Sequence, residues 1–186
     1  MLHLVYSRPE STLKVYDAMG ALYKTYTAAG DAWGNHGVPP SGPQPPYGYD
    51  CWCPPGHFRL GVPEFFNPAI VSEGFGQIPV MDLDADLLAT LASSGRAIVN
   101  GKTANIGGII AEISQLSRFG RSEIMIHCGG SNAPDPTADY QELCRTYGCT
   151  RMFNIEWREM AHWLEPQMES NAVIYTIIGD PKILAC

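Results

Sequence analysis

Apolar and polar residues alternate in short runs through the first 30 positions. Leu2-His3-Leu4-Val5-Tyr6 and Leu13-Lys14-Val15-Tyr16-Asp17 each read as a strand, parted by the turn-prone Ser7-Arg8-Pro9-Glu10-Ser11. Met19-Gly20 makes the next turn and Leu22 to Thr27 a third strand, so the chain opens as a β-meander. A Pro- and Gly-rich loop follows over about 34–56. A loop of this length is usually functional or disordered. Trp33, Tyr47, Tyr49 and Trp52 give it aromatic mass to pack, which points to an ordered surface loop. Phe58 and Leu60 then alternate as in a half-buried strand, and His57 beside them is expected at the surface.

Further on the period lengthens. Asp82 or Asp84 can cap a helix carrying Leu87, Leu88 and Leu91, with Gly95 as its stop. Residues 104–119 place Ile106, Ile109, Ile110, Ile113 and Leu116 on one helical stripe, so about 82–119 reads as a helical insertion. Ile124-Met125-Ile126 is a buried strand running into His127-Cys128-Gly129-Gly130. Asp135-Pro136, an N-cap with proline behind it, predicts a short helix to about Thr146. Residues 155–168 form a helix with Trp157, Met160, Ala161 and Leu164 on one face, and Val173 to Ile178 form a last strand. The pattern predicts a mostly β domain with several helices (α+β), a single unit over residues 1–186.

Composition narrows the function classes. With 45% hydrophobic and 17% charged residues the chain is globular in character. Its net charge of -7 argues against nucleic acid, which is gripped by clustered Lys and Arg. No stretch approaches the ~20 apolar residues of a spanning helix. No charged segment followed by an apolar run opens the chain, so no secretory leader is read and the route of any export stays open. Six cysteines are too few for a disulfide scaffold in 186 residues.

Cys149 stands out among the six. Gly148 before it admits unusual backbone angles and close approach of a substrate, and Arg151 lies just beyond. A thiol becomes a nucleophile when an imidazole takes its proton, and His127 ends an apolar strand upstream. Backbone N–H groups around Gly148 and Cys149 could stabilise an oxyanion.

The order of these pieces resembles the L,D-transpeptidase (YkuD) family. IMIHCGG, then TYGCTRM, then a helix and a closing strand, are similar to that family's apolar strand into His-Gly followed by Ser-His-Gly-Cys and Arg or Asn. LKVYDAMGALYKTYTAAG looks like its opening strands, and CPPGHFRLG like its Thr-Pro-Pro-Gly-x-Phe segment. The resemblance implies a YkuD-like β-sandwich or barrel and a peptidoglycan stem peptide as substrate. Cys149 would be the nucleophile and His127 its base, with the carbonyl of Cys128 steadying the imidazole. Gly148 would support the oxyanion, and Arg151 would border the substrate and hold its carboxylate. No cofactor is implied, and the site of action would be the periplasm or cell envelope. Tyr147 stands where the family has a second histidine, and Thr146 where it has serine, so both are carried as substrate-side positions. A phenol donates a hydrogen bond but does not titrate near neutrality as imidazole does.

Other readings remain open beside this one. The activity could be transpeptidation, L,D-carboxypeptidase hydrolysis or D-amino-acid exchange, in a delivered toxin or a phage wall enzyme. The chain could instead be a wall-binding module whose chemistry has decayed. His127, Cys128, Cys144 and Cys149, or Cys51, Cys53 and His57, could ligate zinc, although neither set has paired CxxC spacing. Alternating Asp82, Asp84 and Asp86 are better explained by helix capping than by calcium.

Overall fold

The computed structural model describes residues 1–30, 53, 55–94, 96–99, 102–105, 116, 123–130, 135–143, 146 and 148–179. The meander forms as the alternation predicts: β1 (Leu2–Ser7), β2 (Thr12–Tyr16) and β3 (Leu22–Ala29) run antiparallel in sequence, with Leu4 opposite Val15 and Leu13 opposite Tyr26. At the second turn the Asp17 carboxylate accepts the N–H groups of Met19 and Ala21, and Gly20 takes a φ of 83°. Then come β4 (Gly56–Leu60), β5 (Glu64–Ile70), β6 (Gly74–Met81), α1 (Ala85–Ser94), β7 (Arg96–Val99) and β8 (Lys102–Asn105). The chain continues with β9 (Met125–His127), β10 (Thr150–Met152), α2 (Asn154–Met168) and β11 (Val173–Ile178).

Eight strands close on themselves in the order β4-β11-β1-β2-β3-β10-β9-β6, and β6 returns to β4. Closure gives every strand of the ring two partners and leaves no edge, while β5 lies outside as the hairpin partner of β6. Two neighbouring pairs are parallel, β1–β11 and β9–β10; the others are antiparallel. One alternate set of side chains fills the core: Leu2, Leu4 and Tyr6, Leu13 and Val15, Phe58 and Leu60, Ile78 and Val80, Ile126, Met152, and Val173, Tyr175 and Ile177. Trp157, Met160, Ala161 and Leu164 of α2 complete it, and the Trp157 indole donates to the Ile126 carbonyl at 3.2 Å. A Cβ on Gly76 would lie 2.4 Å from that indole, so β6 carries glycine where the helix seats.

Several expectations need correction. The insertion over about 82–119 is not helical throughout: α1 is capped by Asp84, whose Oδ1 accepts the Leu87 N–H at 2.8 Å, but β7 and β8 form a hairpin. Lys102–Asn105 therefore takes the start of the expected 104–119 helix into a strand, with Val99 paired to Lys102. Apart from buried Leu116, whose N–H reaches the Asp82 carboxylate, the rest of that helix lies outside the described residues. So does the loop over about 34–56, except for Cys53, Pro55 and Gly56. Asp135–Tyr140 is turn and bend rather than helix. Asp135 does cap, holding the N–H and hydroxyl of Thr137. The next carbonyls, of Pro136 and Ala138, go to the Asn154 amide at 2.9 and 2.6 Å instead of to a next helical turn. His57 is buried rather than exposed.

Candidate active site

Parallel pairing of β9 with β10 sets Ile126 beside Thr150 and His127 beside Arg151. Ile126 and Met152 belong to the core, and Thr150 faces the same way, its hydroxyl 2.6 Å from the Tyr175 phenol. Alternation then turns His127 and Arg151 to the opposite side, and Cys149 lies immediately ahead of β10. Register puts Cys149 about two residues before the His127 level, a stagger of ~6.6 Å along the strands.

His127 is 5% exposed. Its Nδ1 lies 2.8 Å from the Cys128 carbonyl. A carbonyl only accepts, so the Cys128 carbonyl favours the proton on Nδ1, while the Ser72 backbone is a second acceptor that draws a ring proton. Burial lowers the imidazole pKa to about 4, aided by the charge of Arg151, while the Cys128 and Ser72 backbone oppose the shift. Arg151 is itself buried, between β3 and β9, with Ala29 and His127 at its level.

Cys149 is partly exposed, and its thiol donates to the Glu123 carbonyl at 3.7 Å. Gly148 is buried with φ 113°, a value that L side chains rarely adopt, so the glycine before the thiol is a backbone requirement. Thr146 shapes this turn: its hydroxyl donates to the Cys149 carbonyl at 2.5 Å and accepts the Gly148 N–H at 3.3 Å. Tyr147 and Cys144 lie outside the described residues. Cys128 is a buried thiol inside a loop clasp, donating to the Glu73 carbonyl and accepting the Phe75 N–H, both at 3.2 Å. Burial pushes it up to about 11. Among the described residues no group of three or more His, Cys, Asp or Glu converges as a metal site.

Two residues that sequence reading missed tie this region together. Asn154 opens α2 and is fully buried; its Oδ1 accepts the Gly129 N–H at 2.8 Å. Gln141 accepts the Asn154 N–H at 2.9 Å and donates to the Met152 carbonyl at 2.7 Å. α2 has no side-chain cap from Phe153, so Gln141 and the Asp139 carbonyl take the N–H groups of Asn154 and Ile155. The available signal was a helix start without Ser, Thr, Asp or Asn at its N-cap, followed at once by an asparagine. Gly129, at φ 71°, is equally constrained: an added Cβ would lie 2.2 Å from the Gly74 nitrogen.

No family model matches the chain, and no curated protein matches it. Among solved structures it is similar to the helical cell shape determining protein Pgp2 from Campylobacter jejuni, at 15% identity and a TM-score of 0.50, over 100% of this chain and 50% of that one. A second structure, of a mutant of the same protein, matches at 16% identity and a TM-score of 0.49, over 100% of this chain and 49% of that one. The chain thus spans about half the length of the structures it matches. At this identity the first likeness is one of fold, and it spans the whole of this chain.

Proposed function

We propose that this protein is a cysteine-dependent acyl-transfer enzyme of L,D-transpeptidase (YkuD) type, acting on peptidoglycan stem tetrapeptides in the cell envelope. The observation that carries the reading is the β9–β10 pairing. It sets His127, whose Nδ1 meets the Cys128 carbonyl, on the strand beside the one that Cys149 introduces. A neighbour of similar fold is described as determining helical cell shape, which accords with a cell-wall substrate.

In this mechanism Nε2 of neutral His127 takes the thiol proton as Cys149 sulfur attacks the carbonyl of the diamino-acid residue preceding D-alanine. The developing oxyanion draws the Gly148 N–H, whose 3.3 Å bond to Thr146 is long enough to give way to a charged acceptor. Collapse breaks the C–N bond. His127-H⁺ protonates the departing amine, and a group of pKa about 4 gives up its proton readily. The remaining thioester is opened by an acceptor amine, giving a new amide, or by water, giving a tripeptide acid; in both cases His127 removes the nucleophile's proton and returns it to sulfur. Burial, aided by Arg151, keeps the imidazole neutral at rest, and Arg151 borders the substrate carboxylate.

Incubation with purified tetrapeptide muropeptides, read by mass spectrometry, tests the assignment. Loss of D-alanine, with or without a new cross-link, is expected from the wild type and absent from Cys149→Ala. An unchanged product pattern from that variant would overturn it, and no product from either protein would favour the non-catalytic wall-binding reading.

A further inference from the structure

We infer that Asn154 is a positioning residue for His127, acting through the peptide between Cys128 and Gly129. The two ends of that peptide plane are both committed. Its carbonyl meets His127 Nδ1 at 2.8 Å, and its N–H donates to Asn154 Oδ1 at 2.8 Å. A peptide is rigid and planar, so fixing the N–H fixes the direction of the carbonyl, and that direction favours the proton on Nδ1 against the pull of the Ser72 backbone. Two hydrogen bonds in series through one amide also polarise each other, strengthening both.

The asparagine is itself held from three sides. Its Nδ2 donates to the carbonyls of Pro136 and Ala138 at 2.9 and 2.6 Å, and its own N–H is taken by Gln141 Oε1 at 2.9 Å. A fully buried amide with both its oxygen and its nitrogen engaged cannot rotate without leaving several polar groups unsatisfied. On the far side, Gly129 is jammed against Gly74, and Gly130 N–H donates to the Val71 carbonyl at 2.8 Å. The peptide has little room to tilt away. Asn154 also begins α2, so the helix that packs the core and the imidazole on β9 are linked through one side chain.

This rests on the reading of His127 as a base, but its test needs no substrate. Long-range ¹H–¹⁵N spectra of the imidazole ring, assigned with His127→Gln, report the tautomer directly. Wild type is expected to show the Nδ1–H form, and Asn154→Ala a mixture of both. Asn154→Asp, which keeps an acceptor for the Gly129 N–H, should retain the wild-type tautomer. Leu164→Val, which loosens the same helix without touching that peptide, should also leave it unchanged. Alkylation of Cys149 by iodoacetamide at neutral pH should slow by roughly 10- to 100-fold in Asn154→Ala, the range seen when an outer partner of a metal-bound histidine is removed. Should Asn154→Ala fail to fold, Asn154→Ser, whose hydroxyl is too short to span the gap, is read in the same way. An Nδ1–H tautomer that persists without the asparagine oxygen, or one lost equally in Leu164→Val, overturns the assignment. A muropeptide assay without product would count against the enzyme reading and leave the tautomer result standing.

Discussion

The two parallel strand pairs of the barrel each carry a buried histidine, and the two are wired differently. On β1, beside β11, His3 Nε2 lies 2.6 Å from the Thr176 hydroxyl, and His57 Nδ1 from β4 lies 2.8 Å from the same oxygen. One hydroxyl has one proton, so it donates to one ring and accepts from the other. That hydroxyl links three side chains that are all buried. On β9, beside β10, His127 is held by a backbone carbonyl, with a guanidinium at its own level and a partly exposed thiol on the adjoining turn. Burial depresses both imidazoles, His3 to about 3 and His127 to about 4. A shifted pKa therefore does not mark a working base by itself. What separates the two is the partner: a hydroxyl shared with another ring in one case, the Cys128 backbone carbonyl with Arg151 at the same level in the other.

The sharpest way to break this contrast is to remove the thiol. Cys149→Ala is expected to lower turnover of muropeptides by at least roughly 10³-fold, as loss of a nucleophile does elsewhere. His3→Gln should leave turnover within about twofold and lower Tm, because only packing and one hydrogen bond are lost. Equal losses of activity in the two variants, by steady-state assay, would erase the distinction.

Next in size is the pH dependence. His127 must be neutral to accept a proton, so the acid limb of kcat/KM should fall near pH 4 rather than near 6.5. Arg151→Met should move that limb upward only in part, since burial is the larger cause and the guanidinium the smaller. A wild-type limb at about 6.5 would mean that the imidazole is solvated.

Stability follows the same groups with a definite sign. Both histidines have folded pKa values below the unfolded ~6.5, so in acid the unfolded chain binds protons that the folded chain refuses. Their contribution is complete above about pH 6.5 and is lost as pH falls toward about 4 for His127 and about 3 for His3. Chemical denaturation between pH 7 and 4 should show this slope, and His3→Gln should flatten it. An unchanged slope in that variant would remove His3 from the explanation.

Smaller effects test the turn and the thiols. Gly148→Ala forces an L side chain to φ 113° and should cost about 1–3 kcal/mol by denaturant titration. Brief alkylation of folded protein should mark Cys149 before Cys53 and Cys128, which are fully buried. Peptide mapping reads that order.

Much of the barrel was legible because its core positions are apolar and alternate, as in β1, β2 and β11. β6 was not, since Gly74 and Gly76 occupy inward places where periodicity needs a Val or Ile. The β7–β8 hairpin had its own signal, Asn100-Gly101 between the two strands, which the reading of a helical insertion passed over. The false helix after Asp135 shows how a local cap is overruled: a distant asparagine takes the carbonyls that would have continued it. At the candidate site, His127, Gly148 and Cys149 could be proposed from neighbours in sequence. Asn154 and Gln141 could not, because their role exists only once β9, β10 and the start of α2 are brought together.

The most direct test is a rapid-quench reaction with a tetrapeptide muropeptide, followed by peptide mapping for a covalent adduct. A tripeptidyl thioester on Cys149, formed in wild type and lost in His127→Gln, is the predicted result. An adduct on another residue, or the same products released by Cys149→Ala, would contradict the account.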